Sequence, residues 1–283
     1  MKKMKQNKSP LRTILKATIL LITLIVLIHI AHALTLDRII EYREVTFTSE
    51  RVPAALEGYR IAFISDIHRM PDEQLEEVVA ELNHRALDML ILGGDIRTRD
   101  RDMERTMEIL AGVQTTDGIY GVEGNHDYYA ELFAAMEAHG LVPLSNSGVS
   151  VRAGFYLAGV EDLWNRSPNI AEAIAGAEPD DFVLLVSHNP DVTMQEDTSG
   201  VDLVLSGHTH GGQITFFGVW APWFTIRSSI TEYGQRFASG WAEARDGTPV
   251  YVSNGTAVQY YDWPRVFARP QVILITLERG ERT

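Results

Sequence analysis

The chain has 283 residues, 45% of them apolar, enough to bury one large core or two small ones. It contains no cysteine, which excludes disulfides, thiolate metal sites and a cysteine nucleophile. A formal charge of −13 argues against duplex DNA or RNA as a partner, because non-specific nucleic-acid binding rests on lysine and arginine neutralising phosphates.

The first element in chain order is basic and then apolar. Lys2, Lys3, Lys5, Lys8, Arg12 and Lys16 precede or enter an apolar run from Ile14 to Leu36 that holds no acidic residue. A bilayer core needs about 20 apolar residues in a helix. The run reaches that length when Lys16 snorkels to one interface and His29 and His32 lie near the other. Ala31-His32-Ala33 also fits the small-residue pattern of a secretory cleavage site, so a removed signal peptide stands beside a retained transmembrane anchor. Both readings leave the cations on the cytoplasmic side and place the rest of the chain in the periplasm or outside the cell. The expected division is a basic segment and anchor over 1–36 and one domain over 37–283. Taking those six cations from the 25 basic residues leaves 19 against 38 acidic ones, a charge of −19. Such a surface repels polyanions, so handling phosphate calls for local positive charge, and bound dications supply it directly.

Beyond the anchor, 42–49 alternates as a strand does, and 60–65 is a short apolar run typical of a buried strand, followed at once by Asp66 and His68. Residues 71–85 have helical spacing, with Leu75, Val78, Val79 and Leu82 on one face. A strand over 88–92 runs into Gly93-Gly94-Asp95, a helix covers 101–111, and a strand over 118–122 runs into Gly124-Asn125-His126-Asp127, before a helix over 128–138. The second half is richer in strand: 149–153, 155–160, 182–187, 201–205, 249–253 and 271–277, with short helices at 170–177 and 191–195. Each polar cluster sits just past a strand's C-terminal end, where open α/β sheets place their sites. The expected fold class is α/β, a four-layer sandwich of two mixed β-sheets flanked by helices.

Nine histidines occur, and five of them, His68, His126, His188, His208 and His210, fall in these strand-end clusters among Asp, Asn and Gly. Ordinary polar or helix-end roles suit His84 and His139, and an interfacial position suits His29 and His32. Nitrogen and oxygen donors without sulfur favour Mn, Fe or Zn over Mg or Ca, which prefer all-oxygen shells. The intervening glycines allow sharp turns or close approach of a phosphate.

The ordered blocks Asp66-Ile67-His68, Gly94-Asp95, Gly124-Asn125-His126-Asp127, Ser187-His188-Asn189-Pro190 and Gly207-His208-Thr209-His210 resemble those of the calcineurin-like metallophosphoesterase superfamily, over about 45–277. Gly211-Gly212-Gln213 and the anchor are similar to a branch holding membrane-associated phosphodiesterases and UDP-2,3-diacylglucosamine hydrolases. The resemblance implies that Asp66, His68 and His210 hold one metal, that Asn125, His188 and His208 hold a second, and that Asp95 bridges them. It implies a metal-bridging hydroxide as nucleophile, since two dications roughly 3.5 to 4 Å apart acidify a shared water. His126 is then the acid for the leaving oxygen, and Asp127 is either the carboxylate that keeps it protonated or a cap for the next helix.

The expected activity is hydrolysis of phosphodiester or pyrophosphate bonds in a phosphorylated small molecule or a lipid or cell-envelope substrate, at a membrane bilayer and without nucleic acid. Hydrolases of UDP-2,3-diacylglucosamine work from the cytoplasmic face, so the expected export sets that substrate second. A non-catalytic membrane-tethered binding protein is the competing class, and the intact donor set speaks against it. Gly211 and Gly212, with Asn165 and Arg166 in the polar loop Glu161–Arg166, are candidates for substrate contact. The aromatic stretch Phe216–Phe224 packs as core or loop, or forms an apolar lip for acyl chains or the bilayer surface.

Overall fold

A computed structural model describes residues 10–96, 103–226, 230–258 and 263–281. Lys2, Lys3, Lys5 and Lys8 lie outside the described residues, as do Arg101 and Asp102 at the start of one expected helix. Helix α1, Pro10–Leu34, is continuous over 25 residues with none of them buried. Its length of about 37 Å and its composition suffice to cross a membrane.

The remaining elements alternate strand and helix: β1 (Glu41–Ser49), β2 (Arg60–Ile64), α2 (Asp72–Asn83), β3 (Met89–Gly93), α3 (Met103–Leu110), β4 (Ile119–Val122) and α4 (Tyr129–Ala138). Then come β5 (Val142–Pro143), β6 (Ser147–Arg152), β7 (Phe155–Gly159), α5 (Ile170–Ala173), β8 (Phe182–Val186), α6 (Val192–Gln195) and β9 (Leu203–Ser206). The chain closes with α7 (Pro222–Ile226), β10 (Gly240–Glu243), β11 (Pro249–Val252) and β12 (Gln271–Arg279). The first sheet runs β1-β12-β2-β3-β4-β5 and the second β10-β11-β9-β8-β7-β6. Both are mixed: β12 meets β2 antiparallel, β10 meets β11 antiparallel and β6 meets β7 antiparallel, while the central pairs are parallel.

Side-chain alternation sorts the strands into layers. Ile61, Phe63, Met89 and Ile91 of the first sheet face Phe155, Leu157, Phe182 and Leu184 of the second. Ala62, Ile64, Leu90 and Leu92 point the other way, onto Leu75, Val78 and Leu82 of α2. Val183, Leu185 and Val204 cover the far face with Ile170 and Val192. The result is the expected four layers. Parallel strands buried on both faces read as unbroken apolar runs, which is why β3, β7 and β8 were visible in the sequence. β5 and β10 were not expected. One has two residues and ends in Pro143, which lacks an amide donor and suits an edge, and the other is a half-exposed edge of four. The helices expected at 170–177 and 191–195 shorten to single turns.

Candidate metal centre

Five strands end on the same side, and the turn after each delivers a donor. After β2, Asp66 and His68 both take positive φ, 54° and 44°, and Asp95 after β3 does the same at 53°. Asp66 N donates to Gly94 O at 2.9 Å and His68 N to Asp95 O at 3.2 Å, which locks the two turns together. After β9, His208 and His210 take φ of 71° and 52°. His208 N donates to the Asp66 carboxylate at 3.1 Å.

One donor atom each from Asp66, His68, Asp95 and His210 lies within 4.8 Å of the others, and all four residues are buried. His68 Nε2 and His210 Nε2 stand 3.2 Å apart, and His188 Nε2 stands 3.3 Å from Asp95 Oδ2. His188 Nδ1 faces Gly93 O at 2.7 Å, and His208 Nε2 faces Ile230 O at 2.8 Å. A carbonyl only accepts, so each of these nitrogens carries a proton, which leaves Nδ1 of His208 as a lone-pair donor and makes Nε2 of His188 one once it gives up the proton it holds toward Asp95. Asp95, Asn125, His126, His208 and His210 line one cavity of about 50 Å³ with Trp164 over it. Asn125 Oδ1 is buried there with no hydrogen-bond partner. An orphaned amide oxygen beside two carboxylates and unprotonated imidazole nitrogens fits a divalent cation.

Burial holds His68 down at about 4 and His208 at about 3, and His210 lies well below the ordinary histidine value for the same reason, so these rings are neutral at pH 7. Burial lifts the Asp66 carboxyl to about 6. Burial would raise Asp95 as well, but the His188 charge and hydrogen bond, with His68 and His126, outweigh it and carry Asp95 well below its usual range. Burial would lower His188, but Asp95, Asp66 and Asp162 outweigh it and carry that ring well above the ordinary histidine value.

His126 sits on the turn that holds Asn125. Its backbone N donates to Asp95 Oδ1 at 2.8 Å, and its ring meets the His68 ring edge-on at 5.4 Å. Asp127 Oδ2 accepts from Gly124 N at 2.8 Å, closing the turn. The N-cap of α4 is Tyr128, so Asp127 lies one residue before the cap position. Asn165 Nδ2 donates to Asn125 O at 2.7 Å, and Arg166 pairs with Glu123 at 3.1 Å and with Glu161. Both residues brace the Asn125 turn. Gly211 and Gly212 continue the His210 turn with φ of 62° and 78°, and a Cβ on either would meet Asn254 or Ala221 closer than 3 Å. Within the aromatic stretch Ala221 and Phe224 are buried, while Phe216, Phe217, Val219, Trp220 and Trp223 are exposed.

Sequence reasoning missed three supports. Ser253-Asn254-Gly255 follows β11, and Gly255 lies against Asp66, where a Cβ would come within 2.7 Å. Arg265 is fully buried and donates to His210 O at 3.1 Å and to Ala257 O at 2.8 Å. Trp164 packs edge-on to His208 at 4.5 Å.

The profile of the calcineurin-like phosphoesterase family matches residues 59–212, a span that encloses all seven expected donors and His126. A Helicobacter pylori protein named an uncharacterized metallophosphoesterase is 28% identical over 229 residues, covering 76% of this chain and 58% of that protein. A Campylobacter jejuni protein named likewise is 27% identical over 252 residues, covering 83% and 63%. A Danio rerio protein named as a transmembrane protein with metallophosphoesterase domain is 28% identical over 261 residues, covering 84% and 57%. The chain thus spans 57 to 63% of the length of these relatives.

Proposed function

The chain belongs to the calcineurin-like phosphoesterase family, and from that premise we propose that it is a membrane-anchored, metal-dependent phosphoester hydrolase acting on phosphodiester or pyrophosphate bonds of a lipid or cell-envelope substrate. Residues 1–36 are the anchor and 37–283 the hydrolase domain, held on the periplasmic or extracellular side. Two divalent ions, of the manganese, iron or zinc type, would be held here: Asp66, His68 and His210 would hold one, Asn125, His188 and His208 the other, and Asp95 would serve both. When bound, such ions supply a water acidified toward neutrality and positive charge for the phosphoryl oxygens.

The chain's own residues do the rest. Asp66 and Asp95, buried and tied by backbone amides, hold fixed carboxylate oxygens toward the centre. His126 serves as the acid for the departing oxygen, and the bond from its backbone to Asp95 Oδ1 fixes its distance from the centre. Asp127 holds the Gly124 turn on which His126 rides. Asn165 and Arg166 act by holding the Asn125 turn, and Gly211 and Gly212 let the turn after His210 pack against Asn254 and Ala221 beside the centre.

The observation that carries this reading is the cluster of Asp66, His68, Asp95 and His210 within 4.8 Å. The test is full-length protein stripped of metal and assayed on bis-p-nitrophenyl phosphate. Mn²⁺ should restore turnover, Asp95→Asn should abolish both turnover and metal retention, and His126→Ala should keep most of its metal while losing turnover. No turnover with any divalent metal would support the tethered binding protein instead. Metal loss in His126→Ala on the scale of Asp95→Asn would move His126 into the ligand shell.

A further inference from the structure

Beside the metal centre lies a second cavity of about 130 Å³, lined by Gly212, Gln213, Ile214, Trp223, Ile230 and Trp263. Gln213 and Ile230 also line the cavity of the metal centre, so the two spaces share a wall. Gln213 is the one amide among the six; its nitrogen donates to the carbonyls of Trp263 and Pro264 at 3.0 and 3.2 Å, while its oxygen is buried with no hydrogen-bond partner among the described residues. An apolar cavity of roughly 150 Å³ stays dry and takes benzene, so this one holds a stretch of about six carbons.

The segment that forms the wall continues outward into an apolar surface. Phe216, Val219 and Trp220 are 47%, 83% and 46% exposed. The last turns of α1 dock on the same surface. His29 stacks on Phe216 at 5.3 Å and meets Phe217 and Phe267 edge-on, and His32 stacks on Phe267 at 3.8 Å. Asp37 completes the joint, accepting from Phe267 N at 2.8 Å and facing His32 Nδ1 at 2.7 Å. The helix able to cross a bilayer therefore leaves it at the face where the cavity lies. Aromatic side chains settle at headgroup depth, and contiguous apolar surface on a soluble domain marks an interaction site.

We propose that this cavity receives the hydrocarbon chain of a lipid phosphoester entering from the bilayer surface, so that the centre selects phosphoesters carrying an alkyl or acyl chain over small ones. The inference rests on the hydrolase reading for its phosphoester and on the cavity and the α1 joint for its chain.

The test uses full-length protein in lipid nanodiscs with p-nitrophenyl phosphodiesters carrying a methyl, butyl, hexyl or octyl group. KM should fall about two- to fourfold per added carbon over the first six or so and then level. Ile214→Trp, which fills the cavity, should flatten that gradient. Partitioning of the probes into the nanodisc is common to both proteins and cancels in the comparison. Trp241→Ser, an exposed aromatic on β10, should keep the gradient, and its loss there too would overturn the assignment. A second readout needs no turnover: octyl phosphate bearing a photoreactive diazirine should label Trp223 or Trp263, and the label should vanish in Ile214→Trp. Metal-dependent turnover without a chain-length gradient would overturn the inference and leave the hydrolase reading standing. Absence of turnover on every probe would sink the hydrolase reading, and the labelling would then decide the chain site by itself, with label confined to α1 counting against it.

Discussion

Gly124→Ala tests whether the spacing of the two strand-end turns sets the chemistry. A Cβ at Gly124 would stand 2.3 Å from Asp95 Oδ1 and 2.4 Å from Asp95 N. Rotating the Asp95 side chain relieves only the first contact, so the Asn125-His126 turn and the Asp95 backbone must part by about 1 Å. The bond from His126 N to Asp95 Oδ1, now 2.8 Å, would then lie beyond hydrogen-bond range. Overpacking of this kind costs about 1–3 kcal/mol, and a misplacement of about 1 Å costs on the order of a hundredfold in rate. Gly140→Ala is the matched comparison. Gly140 has φ of +78° with open space around its Cβ position, so alanine there costs about 1–2 kcal/mol of backbone strain and touches nothing at the centre. Urea midpoints should fall for both, whereas turnover of bis-p-nitrophenyl phosphate should collapse only for Gly124→Ala. Turnover in Gly124→Ala within threefold of Gly140→Ala would refute the reasoning.

Metal binding should release about one proton at pH 7. His68, His208 and His210 are held neutral by burial, Asp66 at about 6 is mostly ionised, and His188, raised well above 6.5, is the group still protonated. Because the proton must leave before His188 can ligate, affinity should rise about tenfold per pH unit near 7, and the slope should steepen below pH 6 as Asp66 takes up its proton. Calorimetry in buffers of different ionisation enthalpy measures the release, and a value of zero would remove His188 from the ligand set. Arg265→Met should destabilise the metal-loaded protein by about 4 kcal/mol, since it deletes charge-assisted bonds to the carbonyls of Ala257, His210 and Ala268 at 2.8, 3.1 and 3.0 Å. A loss under about 1 kcal/mol in urea unfolding would show those carbonyls finding other donors.

The candidate donors stand out in the sequence because each sits within four residues of a buried strand's end, and such strands announce themselves as unbroken apolar runs. Ser253-Asn254-Gly255 follows β11 in the same way, yet it carries no histidine or carboxylate, so a search for donors passes over it. Its part is steric: Gly255 lets the chain lie against Asp66. Arg265 was illegible for another reason. Its flanking residues give no sign of burial, and its partner His210 lies 55 positions away. The roles of Asn165 and Arg166 likewise depend on distant partners, Asn125 and Glu123, that only the folded chain brings near.

The backbone of the donors supplies a further argument. Asp66, His68, Asp95, His208 and His210 all adopt positive φ, at about 1–2 kcal/mol each for a residue bearing a side chain. Glycine would relieve the strain and remove the ligand. Inside the protein, the bonds from Asp66 N to Gly94 O, from His68 N to Asp95 O and from His208 N to the Asp66 carboxylate oppose that strain. That web of amides predicts a donor set formed ahead of metal binding, with binding energy adding to a formed site instead of creating the fold. Chelation should accordingly lower the thermal midpoint while leaving the far-ultraviolet circular dichroism unchanged at 25 °C. Loss of the helical and strand signal on chelation would mean that the ions, and not this web of amides, hold the strained turns.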